Sequence, residues 1–297
     1  MDYRKLFVVK PGAQVKLAKL DPDYTGKHLS EDHARADTEK YLHKLNELQH
    51  LMYSEAKHAL LIVLQALDAG GKDGTVRHVL GAMNPQGTTV AVFKQPTAEE
   101  LKHDFLWRVH SHAPARGMVT AFNRSHYEDV LVVRVHKLVP EKIWSGRYDF
   151  INQFEKRLHR ENNTHILKFF LHISKQEQLQ RFHQRLLDPA RNWKISEADY
   201  QERECWDDYI KAYEEIFART STKYAPWYTI PANQKWFRNL AVSQIIAATM
   251  EEIGMQLPKP QVDLEMIRRR YHQAAGDGES PPASAKRQGW QKARAKK

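Results

Sequence analysis

The sequence is poor in cysteine, in long apolar runs and in the patterns of nucleophilic catalysis. Cys205 is the sole cysteine among 297 residues; an intrachain disulfide is excluded and a reducing compartment fits. The opening residues MDYRKL contain no apolar h-region, so no signal peptide is expected. The longest apolar run, residues 59–64, is far too short to span a bilayer. A cytoplasmic protein with no membrane association is expected. There is no internal repeat, no G-x-S-x-G and no Cys/His pair placed as nucleophile and base. The sixteen histidines show no zinc-ligand spacing, so no structural metal is expected.

What is present is a globular composition with a basic balance. Hydrophobic residues make up 41% of the chain, with seven Trp, twelve Tyr and eleven Phe, enough for a sizeable core. The net charge is +10. Residues 272–297 hold six Lys/Arg against Asp277 and Glu279, so +6 remains on residues 1–271. A body that stays basic without its tail points to a polyanionic partner. Charge alone leaves nucleic acid, another polyphosphorylated ligand and a plain solvated surface open.

Residues 57–80 organise the chain. Ala59 to Leu64 is a continuous apolar run of strand length, suited to a strand buried on both faces of a parallel sheet. A glycine-rich turn, LDAGGKDGT, follows, and then residues of helical period. In that order backbone N–H groups and a helix N-terminus can cradle a phosphate. The match to G-x-x-x-x-G-K-[ST] is incomplete: Gly71 and Lys72 fit, but Ala66 holds the first glycine position and Asp73 the Ser/Thr position. Ala69, Gly70, Gly71, Asp73, Gly74 and Thr75 supply the loop and Lys72 its point charge. Asp68 is either a metal ligand or a turn-stabilising residue. Asp73 caps the next helix or touches a metal shell, with capping favoured.

The rest alternates. Residues 1–30 carry turn signals and no period, and read as an irregular arm; residues 30–56 read as a long amphipathic helix. After a helix over residues 75–83, residues 88–94 form a second strand. A Thr97/Glu100 capping box starts a helix through Val109. Residues 118–122 are a third strand, ending just before Asn123 and Arg124. Ligands sit beyond such strand ends, so these two residues read as the second half of a phosphate site or as a turn Asn and a surface Arg. Ser125 and Glu128 have capping-box spacing, so a helix should start there. A strand over residues 165–173 leads to a helix capped by Ser174 and Glu177. Helices continue to about 186 and from 196 to 220, broken at Asp188-Pro189-Ala190. They carry Arg181, Arg185, Arg191, Lys194 and Arg203, which form a solvated face or a cationic lid. A strand over residues 227–231 and a helix over 238–253 close the pattern, and a Gly/Ser/Pro/Lys/Arg tail from 272 is expected to be disordered. Strands alternating with helices mean an α/β domain with a mainly parallel sheet.

LDAGGKDGTVRHV (67–79), VFKQPTAEEL (92–101), FLWRVHSHAPARG (105–117), FNRSHYEDVLVVRV (122–135), HILKFFLHISKQEQLQRF (165–182) and APWYTIPANQKWFRNLAV (225–242) resemble the polyphosphate kinase 2 family over roughly residues 30–255. The resemblance implies a three-layer αβα P-loop kinase fold with a helical lid at about 175–220, within a kinase domain spanning 31–255. An N-terminal arm (1–30), a C-terminal extension (256–271) and the basic tail (272–297) flank it. It also explains the incomplete loop, because the family's Walker A form is D-x-x-G-K, met by Asp68, Gly71 and Lys72. Its Walker B-like element is commonly D-R-S, whereas here Asn123 replaces the aspartate. An amide is a poorer Mg²⁺ ligand than a carboxylate. With G-K-D-G-T at 71–75 this is similar to the class III subgroup, which implies phosphorylation of both AMP and ADP.

By the same resemblance, Lys72 contacts the transferring phosphate, Asp68 holds Mg²⁺ (Mn²⁺ being the alternative) and Arg124 stabilises the transferring group. Arg181, Arg185, Lys194 and Arg203 bind polyphosphate or nucleotide phosphates. Lys94 and Arg108 are weaker candidates near the acceptor. Asn123 is a weak metal ligand, and Glu128 is a second carboxylate at the metal or acceptor, or a capping residue. The expected partners are inorganic polyphosphate and adenine nucleotides, in a homo-oligomer, with nucleic acid not expected. The expected function is a polyphosphate-dependent nucleotide kinase. The alternatives are an ATP-dependent kinase of the same fold and a nucleic-acid-binding P-loop protein.

Overall fold

The computed structural model describes residues 1–275; the remainder of the predicted tail lies outside the described residues. The chain divides into a unit over Met1–Leu257 and a second beginning at Pro258. In the first, α1 (Tyr3–Phe7) and β1 (Val8–Val9) precede the long α2 (Glu31–Glu55). Then come β2 (Ala59–Gln65), α3 (Lys72–Val79), β3 (Thr88–Val92), α4 (Trp107–His110) and β4 (Val119–Asn123). They are followed by α5 (Glu128–Val135), α6 (Glu141–Asn162), β5 (Thr164–His172), α7 (Lys175–Leu187), α8 (Glu197–Glu204) and α9 (Trp206–Thr220). β6 (Trp227–Pro231) and α10 (Lys235–Glu252) complete the unit. The second unit contains α11 (Leu264–Ala275), which takes in the first residues of the tail expected to be disordered.

The six strands form one sheet in the order β1-β6-β5-β2-β4-β3, parallel except for β1. This is an α/β architecture with a mainly parallel sheet, as the alternation of strands and helices in the sequence implies. Every residue of β2 is buried, as its unbroken apolar run requires of a strand covered on both faces. Each such Leu, Ile or Val contributes about 1.5–3 kcal/mol by leaving water. β4 and β5 flank β2 on opposite sides, so the chain reverses its direction of travel across the sheet there. Ligands collect beyond strand ends at such a switch point. The register sets Leu64 of β2 against Asn123 of β4, and the Arg124 N–H donates to the Leu64 carbonyl at 3.2 Å. The turn after β4 is thereby held beside the glycine-rich loop.

Several local expectations change. The N-terminal arm is not irregular throughout: Val8 and Val9 pair antiparallel with Tyr228 and Trp227. A two-residue strand is too short to show a period. The Thr97/Glu100 box forms both reciprocal hydrogen bonds, but no continuous helix follows. Asp104 Oδ1 instead accepts from the Leu106 N–H at 2.9 Å, a local turn that competes with propagation. α3 starts at Lys72, three residues before Thr75, and the 196–220 helix breaks at Cys205. The 22-residue α6 is an element the sequence pattern did not bring out; its N-cap is Pro140, which supplies no side-chain cap. Ser174 does cap α7, accepting from the Glu177 N–H at 3.0 Å.

Candidate active site

The loop between β2 and α3 is a turn that side chains would obstruct. Gly71, the N-cap of α3, has φ of +104°, a region glycine adopts without steric cost. A Cβ there would fall 1.9 Å from Arg238 Nη1. Ala69 and Arg124 also have positive φ, +59° and +63°, although neither is glycine. Left-handed backbone at two ordinary residues is a local cost that the flanking strands impose, and such strain clusters at functional sites.

Lys72 folds back over its own loop, donating to the Ala66 carbonyl at 2.8 Å. Burial, with Arg124 nearby, pushes the ammonium below its usual pKa, against the pull of Asp68, Glu128 and Asp73. Arg124 Nη2 donates to Asp68 Oδ1 at 3.2 Å. Burial opposes charge on Arg124, but Glu128 and Asp68 outweigh it and hold the guanidinium cationic. Burial pushes the Glu128 carboxyl up, against Arg124 and Lys72. Its capping-box reading does not hold: the Ser125 hydroxyl oxygen accepts from the Tyr127 N–H and from Gln65 Nε2, and Glu128 lines the cleft.

Asn123 has a different partner. Its Nδ2 donates to Asp73 Oδ1 at 2.9 Å, and Lys194 Nζ sits 3.3 Å from Asp73 Oδ2. Burial alone would raise the Asp73 carboxyl, but these two donors keep it below the ordinary range. An aspartate at 123 could not donate to Asp73, so the amide at this position is matched to the carboxylate that replaces the usual Ser/Thr.

The remaining cations differ in what they have left to offer. Arg181 is nearly saturated: Nε donates to Glu177 at 2.6 Å, Nη1 to the Ala69 carbonyl at 2.8 Å, and Nη2 to the carbonyls of Ala232 and Asn233. It ties α7 to the loop and to the turn after β6. Arg203 Nη1 donates to the Lys175 carbonyl and to Gln178 Oε1, and Gln178 Nε2 in turn donates to the Asp68 carbonyl. Arg185 donates to the Lys194 carbonyl at 2.9 Å. Lys94 and Arg108 lie apart from the cleft: Arg108 is buried, donates to the Lys94 carbonyl and faces Glu100 and Asp129 at 3.7 and 3.8 Å. Lys94 itself is exposed.

Beside Asp68 and Arg124 opens a cavity of about 170 Å³, bounded by α5, α7, α8 and α9. Its far wall is aromatic, with Trp206, Tyr209 and Tyr213. Glu202 joins it, held by the Tyr209 hydroxyl at 2.6 Å and by His136 Nε2 at 3.0 Å.

A glycine-rich loop with one lysine, facing an arginine and a carboxylate, is phosphate-handling equipment. The polyphosphate kinase 2 family matches residues 28–258. The chain belongs to that family. A relative in Meiothermus ruber, named AMP/ADP-polyphosphate phosphotransferase, is 49% identical over 264 residues, covering 89% of this chain and 98% of the relative. The ADP-polyphosphate phosphotransferase of Rhodopseudomonas palustris is 46% identical, over 86% of this chain and 92% of its own. The crystal structure of polyphosphate kinase 2 from Arthrobacter aurescens TC1 superposes with a TM-score of 0.87 at 41% identity, covering 91% of this chain and 96% of that one.

Within this family member no cluster of three or more His, Cys, Asp or Glu able to hold a metal occurs among the described residues. That donor set fits a cation held only partly by protein. Mg²⁺ typically takes one or two carboxylates and completes its shell with waters and substrate phosphates. Asp68, partly exposed with one oxygen on Arg124, and Glu128 are placed for this. The residues that sequence reasoning missed are Gln178, Glu202, the aromatic wall, and Lys235 and Arg238 on α10. The last two stand in the QKWFRN stretch, whose charge has no meaning until α10 is packed on the loop. No helix among the described residues is long and apolar enough to cross a membrane.

Proposed function

We propose that the protein transfers phosphate from inorganic polyphosphate to AMP and ADP, giving ADP and ATP in a reversible reaction. The observation that carries this reading is the pairing of Lys72 and its glycine loop with Arg124 and Asp68, at a cleft without a nucleophile or a strong base. The acceptor is itself a phosphate oxyanion and needs no deprotonation. The work left to the protein is positioning and charge stabilisation. The names of the Meiothermus and Rhodopseudomonas relatives support the donor and the acceptors.

In this reading Lys72 and the loop N–H groups hold the phosphate that moves. Arg124 bridges donor and acceptor oxygens, and the acceptor's sugar and base enter the cavity towards Trp206 and Tyr209. Arg181 acts by positioning the lid and loop, because nearly all of its donors are taken, while Arg203 is tied to the lid through Nη1 alone and keeps Nε and Nη2 for phosphate. Lys194 is the lid cation free to exchange Asp73 for a phosphate. Kinase chemistry calls for a divalent cation; we assign Mg²⁺, with Mn²⁺ as a substitute, to Asp68 and Glu128. When bound, that cation would neutralise charge developing on the transferring phosphate.

The test is to mix the protein with Mg²⁺, long-chain polyphosphate and AMP or ADP and to follow ADP and ATP. Both products are expected. Failure across a range of pH and metals, with ATP serving as donor to some other acceptor, would overturn the reading.

A further inference from the structure

The end of β2 holds three consecutive residues that each anchor part of the site. The Leu64 carbonyl accepts from the Arg124 N–H at 3.2 Å, and the Ala66 carbonyl accepts from Lys72 Nζ at 2.8 Å. Between them stands Gln65, the one polar residue of an otherwise apolar strand and fully buried. A leucine there would continue the core, whereas a buried amide is costly unless its hydrogen bonds are made. Both ends of this amide are used. Nε2 donates to the Ser125 hydroxyl oxygen at 3.1 Å, and Oε1 accepts from the Tyr213 hydroxyl at 3.3 Å. A buried polar chain satisfied at both ends fixes the relative places of the groups it joins.

Those groups belong to the two sides of the cleft. Ser125 follows Arg124, which sits in left-handed backbone at φ +63°. An ordinary residue keeps that conformation only where its surroundings over-determine it. Leu64 holds the Arg124 backbone, and Gln65 holds the residue after it. Tyr213, on α9, lines the aromatic wall, and its ring packs on Phe170, the β5 neighbour of Gln65, with centroids 4.3 Å apart. Gln65 therefore spans from the wall to the Arg124 turn without itself lining the cleft.

We propose that Gln65 is a positioning residue for phosphoryl transfer: through Ser125 it holds Arg124 at a set place relative to the wall that receives the acceptor. This rests on the polyphosphate reading and deepens it. Substrates still meet Lys72, the loop and the wall when Gln65 is lost, so binding survives. Arg124 is then no longer aligned between donor and acceptor oxygens, and small misplacements of such groups are expensive in rate.

The test measures kcat and KM for long-chain polyphosphate and ADP, with thermal melting, in wild type, Gln65→Leu, Ser125→Ala and the double variant, and measures Gln65→Leu again in an Arg124→Ala background. Gln65→Leu is expected to lower kcat by about 10–10²-fold with both KM values unchanged. Ser125→Ala should do the same, and the double variant should be no worse than either. With Arg124 already removed, Gln65→Leu should cost no further rate. A folded Gln65→Leu protein with wild-type kcat, a loss confined to KM, or an equal fold-loss with and without Arg124 overturns the proposal. If Gln65→Leu does not fold, Ser125→Ala decides: wild-type kcat in that folded variant overturns the proposal equally. Wild-type protein that uses no polyphosphate overturns the underlying function and the proposal with it.

Discussion

Among the described residues, two lysines that reach into the interior, Lys168 and Lys72, meet opposite fates. Lys168, on β5, is fully buried and complete: its ammonium donates to Glu155 Oε2 at 2.6 Å, to the Thr220 carbonyl at 2.8 Å and to the Tyr127 hydroxyl at 2.9 Å. Burial alone would raise the Glu155 carboxyl, but Lys168 and His126 hold it below its usual range. Lys72 has one carbonyl acceptor and no ion-pair partner within 4 Å among the described residues. A lysine with all three donors used can only hold structure together. A lysine with donors to spare, beside strained backbone, is ready for a ligand. The same contrast separates Arg181 from Arg238, whose guanidinium donates only to the adjacent Asn239 among the described residues. Saturation of hydrogen-bonding capacity, more than charge or burial, distinguishes the cations that build the site from those that use it.

The largest effect expected is on the saturated side. Lys168→Met leaves Glu155 buried without its counter-charge and should cost about 3–5 kcal/mol of stability, read from denaturant unfolding. Replacing both partners (Lys168→Met with Glu155→Leu) should recover most of that loss, because neither charge is then stranded. A single variant as stable as wild type would remove the distinction drawn here. On the unsaturated side the loss should appear in rate instead. Lys72→Ala should lower kcat about 10²–10³-fold while the melting temperature barely moves. An unfolded Lys72→Ala protein would show that this lysine, too, is structural.

A smaller effect sharpens the contrast between Asp68 and Asp73. Asn123→Asp removes the donor to Asp73 and sets two carboxylates against each other, costing about 1–3 kcal/mol at neutral pH. The exchange of both residues, Asn123→Asp with Asp73→Asn, restores a donor and should restore stability. If the single variant melts like wild type at pH 7, the Asn123–Asp73 contact carries no weight. The smallest effect concerns the N-terminal ends of the central strands β2 and β5, where His165 Nε2 lies 3.3 Å from His58 Nδ1. Burial, then His58 and His159, depress His165 to about 4. A base whose folded pKa is depressed stabilises the fold above its unfolded pKa, about 6.5, and that contribution is lost as pH falls towards 4. Allowing for solvent screening, His165→Gln should lessen the acid-side loss by about 1 kcal/mol, seen as a flatter melting temperature between pH 6.5 and 4.

Much of the fold could be read from local pattern. β2 announces itself by an unbroken apolar run, α2 by its period and α7 by its Ser174/Glu177 cap, because each depends on residues adjacent in sequence. The exceptions have local causes as well. β1 is two residues long, and the capping box at Thr97 is made but stopped by the Asp104 turn. α6 has the period, with Trp144, Tyr148, Ile151 and Phe154 buried along one face, but its start lacks a side-chain cap. The cleft's aromatic wall stayed hidden because Trp206, Tyr209 and Tyr213 look like any core stripe on an amphipathic helix until α9 is seen to close over Asp68.

The sequence by itself determined that strand, glycine loop and helix follow one another and that Lys72, Asp68 and Arg124 stand at strand ends, since backbone geometry over a few residues dictates this. Only the tertiary structure decided which cations have donors to spare. The carbonyls that occupy Arg181 come from Ala69, Ala232 and Asn233, and the notch that holds Arg238 is cut by Gly71 and Gly74. Those partners lie far apart along the chain, and folding brings them within hydrogen-bonding distance.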